Sequence, residues 1–372
     1  MPAVGRLAIA WPPAACGPAV PGRQEQPGAH RARLAVQFVP EHDDPPGSRT
    51  AGHAVHSHTH RCQTDPVIPE DRRPPRAIAV VGPTAAGKSA LSLGLAEATG
   101  GEVINADSMQ LYRGMDIGTA KLTPAERGGV AHHLLDIWDV TQAASVSQYQ
   151  QLARAAIGEI HARGRVPVLV GGSGLYVRAA LDKLEFPGTD PGLRADLEDE
   201  LARVGATALH ARLATTDPAA AAAILPSNGR RIVRALEVLQ LSGRPFSATL
   251  PQYESIYDAV QIGVQLPRAE LDHRIADRVA RMWELGLVSE VRQLAAAGLR
   301  EGRTASRALG YAQVLRFLDG ELSEDEAAAQ TVLATRRFVR RQESWFRRDP
   351  RIRWLAGAGP GLLAQALDAL RA

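Results

Sequence analysis

The sequence predicts an α/β protein with a P-loop NTPase-like parallel sheet core, an all-helical insertion and a helical C-terminal part. Three observations carry that prediction. The stretch Gly82-Pro83-Thr84-Ala85-Ala86-Gly87-Lys88-Ser89 reads G-x-x-x-x-G-K-S. It lies between the apolar run Ala77-Ile78-Ala79-Val80-Val81 and a helical pattern opening at Lys88; strand, glycine loop and helix in that order are what a phosphate-binding loop requires. From residue 76 to about 188, short apolar runs alternate with helix-period stretches, as in a parallel sheet covered on both faces. From Asp190 to Gly243 that alternation stops and only helix start signals remain.

Residues 1–75 hold 13 of the 25 prolines and no sustained periodicity, so they read as a disordered Pro/Arg-rich extension. His53, His56, His58, His60 and Cys62 fall inside it, and such a tract offers no rigid frame for a metal. The two cysteines, Cys16 and Cys62, both lie here, which argues against a disulfide framework and fits a reducing, cytoplasmic compartment. Leu7 to Val20 is apolar but broken by Pro12, Pro13 and Pro18, a poor secretory signal. No run reaches the ~18 apolar residues of a membrane span, so no membrane association is expected. A net charge of +3 and a pI near 9.1 are mildly basic, so the placement of the arginines matters more than their number.

The folded part starts near Arg76 and divides into a core over 76–188, an insertion over 189–257 and a closing part over 258–372. The first helix, Lys88 to Ala98, carries Leu91 and Leu95 at helical spacing and stops at Gly100-Gly101. A second strand, Glu102 to Asp107, delivers Asp107 at its C-terminal end. In an open α/β sheet that is the ligand edge, so Asp107 should face the phosphate loop. A donor-rich loop, Ser108 to Lys121, follows, and His132 to Ile137 reads as a short third strand. A helix from Val146 to Ala162 is capped by Ser145 and ended by Gly164. The strand Val166 to Val170 runs into a second glycine turn, Gly171-Gly172-Ser173-Gly174. In the insertion, helix starts are marked by Asp190-Pro191, by Asp217-Pro218, and by Ser227 or Asn228. Its last helix presents Arg230, Arg231 and Arg234, the first and last on one face.

Gln261 to Leu266 alternates as a returning strand, and helices are expected from there to the end. Arg303 to Tyr311 reads as a polar bridge between two of them. The helix from Ser323 to Arg348 starts acidic and ends with Arg336, Arg337, Arg340, Arg341, Arg347 and Arg348 around Gln342, Trp345 and Phe346. The helix dipole explains part of that order; the excess suits a phosphate-backbone contact surface.

The chemistry gathers at one sheet edge. Loop amides and the helix N-terminus would cradle phosphate, Lys88 would bring a full charge, and the Ser89 hydroxyl suits a phosphate-bound Mg²⁺. Only three of the 43 Lys and Arg residues are lysines, so Lys88 marks a need for a compact point charge. Asp107 and Ser173 complete the cluster. A kinase would use such a loop for ATP and a carboxylate as base. However, the strand Val166 to Val170 ends in glycine, where many P-loop NTPases place a magnesium-linked Asp. That weakens the kinase reading, on a small molecule or RNA, without excluding it; a non-catalytic RNA-binding module with a phosphate-filled loop is a second alternative.

At this level of detail the chain resembles the bacterial tRNA dimethylallyltransferases (tRNA isopentenyltransferases). The resemblance rests on the glycine loop, on Asp107-Ser108-Met109-Gln110-Leu111-Tyr112, on Met115 to Lys121 and on His133-Leu134-Leu135-Asp136. It rests also on Val170 to Tyr176, on Arg234-Ala235-Leu236-Glu237-Val238 and on Gly310-Tyr311, and it spans about 76–348. It implies that Gly82, Pro83, Thr84, Ala85, Ala86, Gly87, Lys88 and Ser89 hold dimethylallyl diphosphate rather than a nucleotide. It implies attack on the prenyl C1 by N6 of adenosine 37 in the tRNA anticodon stem-loop. Asp107 would take the proton, Lys88 and Mg²⁺ would stabilise the leaving diphosphate, and Ser173 and Arg194 would line the reaction channel. The tRNA contacts implied are Asp107, Ser108, Met109, Gln110, Ser173, Arg194, Arg230, Arg231, Arg234, Arg307, Gly310, Tyr311, Arg337 and Arg341. A monomer is expected.

Overall fold

The computed structural model describes residues 77–246 and 253–371. The N-terminal extension, with its cysteines and histidine tract, lies outside the described residues.

The strands are β1 (Ala77–Val81), β2 (Glu102–Asn105), β3 (His132–His133), β4 (Pro167–Gly171), β5 (Ala259–Gln265) and β6 (Ile352–Ala356). They form one sheet in the order β3-β2-β4-β1-β5-β6, every neighbouring pair parallel. All five residues of β1 are buried, as expected of a central strand covered on both faces. Because every strand points the same way, the glycine loop after β1, the turn after β2 and the glycine turn after β4 emerge at one edge.

One face is covered by α2 (Val146–Ala162), α3 (Gly174–Leu181), α9 (Leu287–Ala296) and α10 (Tyr311–Leu318), around Tyr149, Ile157, Ile160, Tyr176 and Val291. The other is covered by α1 (Lys88–Thr99), α8 (Arg268–Glu284), α11 (Glu324–Phe346) and α12 (Pro360–Arg371), around Leu91, Leu95, Leu271, Ile275 and Val339. The predicted cap at Ser145 forms, accepting from Gln148 N; a reciprocal capping box of Ser323 with Glu326, not anticipated from the sequence, starts α11. The insertion consists of α4 (Pro191–Val204), α5 (Ala206–Thr216), α6 (Pro218–Ala223) and α7 (Gly229–Ser242), capped by Asp190, Asp217 and Asn228. Its helices bury their own cluster around Leu197, Leu209, Leu213, Ile232 and Leu236.

Three expectations change. The second strand ends at Asn105, two residues before Asp107, because the Asn105 side chain takes over the backbone pairing. Its Oδ1 accepts from Asp107 N at 2.8 Å, and its Nδ2 donates to Asp107 O and Leu134 O, each at 3.0 Å. The third strand is two residues long, because Leu134 and Asp136 adopt left-handed φ of 60° and 57°. Lys121 Nζ, which is buried, holds Asp136 at 2.5 Å. The C-terminal part is not all helix, since β6 adds an edge strand beside β5.

Glu102 shows what fixes the start of β2. It is 4 % exposed and receives hydrogen bonds from Arg163 Nη2 at 2.7 Å and Nε at 3.2 Å. His133 Nε2 lies 2.6 Å away. The Arg163 hydrogen bond drops the Glu102 carboxyl to about 2; burial opposes it and His133 assists. A folded pKa held below the unfolded value gives stability that is present above about pH 4.5 and lost as pH falls through about 2. Glu102→Gln should therefore cost roughly 3 kcal/mol at most near neutrality, several degrees in Tm. The Tm gap to the parent chain should narrow as melts are repeated from pH 5 toward pH 2; a pH-independent gap would show that the pair contributes nothing.

Candidate active site

The glycine loop folds as its sequence requires. Gly87 caps α1 in the left-handed region with φ 99°, open to glycine at little cost. The Lys88 side chain is half-buried, and its ammonium group turns back to donate to Pro83 O at 2.8 Å. Thr84 is gripped from two sides. Its backbone N–H donates to Gln342 Oε1 at 2.9 Å, and its hydroxyl accepts from Arg278 Nη1 at 2.9 Å. A cavity of about 270 Å³ opens on the loop, lined by Ala85, Gly87, Lys88, Ser89, Ala90, Arg274 and Arg278.

A second cavity, of about 310 Å³, touches the loop at Thr84 and shares Arg278 with the first. Asp107, Ser108 and Ser173 form part of its wall. Asp107 Oδ1 accepts from Met109 N at 2.9 Å, so one carboxylate oxygen braces the turn. Ser108 and Ser173 hydroxyls lie 3.3 Å apart. Ile275, Val279 and Met282 of α8 and Phe338 of α11 make an apolar wall, and Arg307 and Arg341 are the further cations on its border. Met109 and Thr119, from the donor-rich loop, complete the lining used here. An acid, two hydroxyls, three guanidiniums and an apolar wall next to a phosphate loop can hold a substrate that is anionic at one end and apolar at the other.

The arginine-rich helix α11 does more than offer arginines. Gln342 is 5 % exposed, and its Nε2 donates to Gly172 O at 2.9 Å. A Cβ on Gly172 would collide with the Gln342 amide, and one on Gly174 with the Trp345 indole. The second glycine turn is glycine-rich because α11 packs against its backbone.

Several predicted contacts sit differently. Tyr311 is fully buried at the first turn of α10, its hydroxyl donating to Glu290 Oε1 at 2.5 Å. Gly310 is buried beside it. Neither offers an exposed surface; the Tyr311 hydroxyl holds Glu290, whose carboxylate accepts from the backbone N–H groups of Asp116, Ile117 and Gly118, while Gly310 N donates to Gln313 Oε1. Arg303 to Tyr311 is not simply a polar bridge, since its end begins a helix and Arg307 reaches the cavity. Arg194 and Arg234 both pair with Glu237, which is wholly buried. Burial alone would raise the Glu237 pKa, but hydrogen bonds from the two arginines outweigh it and the net shift is downward. Arg194 lines neither cavity. Arg230, Arg231, Arg337 and Arg341 are exposed. The sequence reading missed Arg274, Arg278 and Gln342; the spacing of Arg274 and Arg278, four apart in a helical pattern, was the available signal for two of them.

Burial pushes the Lys88 ammonium down to about 8, and neighbouring Arg278 pushes the same way while Asp107 opposes both. Burial also lowers Arg278 from its ordinary value. Two cations this close await an anion.

Fold and site together define a P-loop α/β protein built for group transfer from a phosphorylated, partly apolar donor. The sequence model of the IPP transferase family matches residues 110–349. A tRNA dimethylallyltransferase of Streptomyces avermitilis is 71 % identical over 288 residues, covering 77 % of this chain and 92 % of that one. One of Salinispora arenicola is 70 % identical, covering 79 % and 86 %. Among solved structures, the tRNA isopentenylpyrophosphate transferase of Bacillus halodurans aligns with a TM-score of 0.59 at 41 % identity, over 79 % of this chain and 96 % of that one. A eukaryotic dimethylallyltransferase acting on tRNA aligns with a TM-score of 0.66 at 28 % identity, over 75 % and 73 %. The chain belongs to the IPP transferase family.

The Lys88 environment predicts a pH dependence of anion binding. Below pH 8 the ammonium is charged in the empty site. Above it, a bound diphosphate must draw a proton back onto Lys88, so affinity falls by up to about tenfold per pH unit. Calorimetric titration with a diphosphate monoester, whose own phosphate protons are gone by that pH, should show this fall between pH 8 and 9.5. Lys88→Met should bind more weakly and lose the dependence; an equally steep fall in that variant would assign the titration elsewhere.

Proposed function

We propose that the chain transfers a dimethylallyl group from dimethylallyl diphosphate to N6 of adenosine 37 in tRNA, releasing diphosphate. The observation that carries the reading is the second cavity, in which the phosphate loop, Asp107, Ser173 and an apolar wall meet within about 310 Å³. The activity named for the relatives supports the same reading.

The residues suit each step. Gly82 to Ser89, with Lys88 and Arg278, hold the diphosphate through loop amides and positive charge. The apolar wall of Ile275, Val279, Met282 and Phe338 takes the prenyl group. The target adenine leaves its stack to enter beside Asp107. The N6 lone pair forms the new bond to C1 as the C1–O bond breaks, its electron pair leaving with the diphosphate. The N6 proton passes to Asp107, whose second oxygen has no partner among the described residues. Lys88 and Arg278 stabilise charge growing on the leaving group.

A magnesium ion fits the donor set. Ser89 brings one hydroxyl to the loop cavity, and among the described residues no three His, Cys, Asp or Glu side chains form a metal cluster. That is the pattern for Mg²⁺ held mainly by phosphate and water. When bound it would neutralise part of the diphosphate charge.

For tRNA, we assign residues 189–257 as the part that grips the anticodon stem-loop. Exposed Arg230 and Arg231 are its contacts, with Arg307, Arg337 and Arg341 on the core side. Arg194 and Arg234 act there by neutralising Glu237. Among the described residues no helix is long and apolar enough to cross a membrane; a cytoplasmic monomer completes the reading. A kinase reading loses ground because β4 ends in Gly171, without the magnesium-linked carboxylate of many P-loop NTPases.

Asp107 separates base from turn brace. Asp107→Asn keeps an oxygen for Met109 N–H but cannot accept the proton. With labelled dimethylallyl diphosphate and tRNA, both Asp107→Asn and Asp107→Ala should lose product by a factor on the order of 10²–10⁴, with tRNA affinity within a few fold. Undiminished transfer in Asp107→Asn would remove Asp107 as the base, and a collapse of tRNA binding would make it structural.

A further inference from the structure

The two glycine turns that frame the reaction arise from adjacent strands β1 and β4, and one side chain joins them. Gln342 accepts from Thr84 N and donates to Gly172 O, both at 2.9 Å. Thr84 lies on the wall of the acceptor cavity and begins the curved half of the phosphate loop, next to Ala85 at φ 65°. Gly172 leads directly into Ser173, whose hydroxyl meets Ser108 beside Asp107. One primary amide therefore spans from the donor-holding loop to the turn that carries the proton-accepting side. A primary amide is suited to this because it presents a donor and an acceptor in one plane. Glu offers only acceptors when ionised, and Met offers neither at similar volume.

We propose that Gln342 is a positioning residue for the transfer reaction. It fixes the separation between the diphosphate loop and the Asp107–Ser173 wall, so that C1 of the donor and the attacking nitrogen meet at reacting distance. This rests on the reading of the site as a prenyl transferase. The nearby Arg337, Arg340 and Arg341 of α11 are exposed, whereas Gln342 is buried and bonds the protein's own backbone. Misplacement of reacting groups by about 1 Å costs on the order of 10²-fold in rate, so loss of the amide bridge registers in kcat. Thr84 N–H, freed from its partner, loosens the loop itself, so diphosphate affinity falls too.

The test uses the full chain with Gln342→Met and Gln342→Glu, each checked for Tm. Expected for Gln342→Met is a kcat loss of about 30-fold or more with KM for tRNA within threefold. Binding of inorganic diphosphate, measured by calorimetry, should weaken about tenfold. Gln342→Glu, which still accepts from Thr84 N–H but sets a buried carboxylate oxygen against Gly172 O, should lose at least as much kcat as Gln342→Met. If Gln342→Met keeps both kcat and diphosphate affinity within threefold of the parent, the proposal is overturned. It is overturned as well if both variants lose kcat only in proportion to the folded fraction. If the parent chain shows no prenyl transfer, the functional reading fails on its own; the diphosphate titration then still decides whether Gln342 shapes the loop.

Discussion

Lys88 and Arg278 crowd positive charge behind the phosphate loop, and the rest of the site is arranged around that crowding. Burial lowers both cations from their ordinary pKa values, and Asp107 is the carboxylate that acts on each. Such an arrangement is unfavourable by itself, because desolvated like charges repel. It becomes favourable beside a polyanion, so the site favours a highly charged anion. Thr84 is held from two sides, by Arg278 through its hydroxyl and by Gln342 through its amide. The loop is thus tied to two helices, and charge held in place does not have to be oriented during a reaction.

What the sequence disclosed and what it hid follow from where each residue sits on the chain. The glycine loop, Asp107 and Ser173 were legible because each follows a strand, and parallel strands bring their C-terminal ends to one edge. The caps at Ser145, Asp190 and Asp217 were legible because capping is local. Arg278 and Gln342 were not legible as site residues. They meet Thr84 across 194 and 258 residues of chain, a contact set only by how α8 and α11 pack on the sheet. The burial of Tyr311 and the pairing of Arg194 and Arg234 with Glu237 were hidden for the same reason, since a motif records residue type and not exposure. The edge strand β6 was missed because its alternation is short and one face of it stays open.

The two glycine turns do different work. The first is glycine-rich to admit left-handed backbone around phosphate, as Gly87 does at the start of α1. The second is glycine-rich because Gln342 and Trp345 of α11 lie against Gly172 and Gly174 with no room for a Cβ. In many P-loop NTPases the strand carrying that second turn would end in a metal-linked carboxylate. Here it ends against a helix that also borders the second cavity through Arg341, and in the proposed reading the loop holds a leaving group.

That claim concerns which bond breaks. Dimethylallyl diphosphate carrying a heavy oxygen isotope in the oxygen that links C1 to phosphorus, incubated with the chain and tRNA, tests it directly by mass spectrometry of both products. Cleavage between carbon and oxygen sends all of the heavy isotope into the released diphosphate, and the RNA gains one dimethylallyl unit per diphosphate formed. Heavy isotope found in dimethylallyl phosphate with one phosphate added to the RNA, or in dimethylallyl alcohol with a diphosphate added, would mean that the loop drives phosphoryl transfer and would contradict the account.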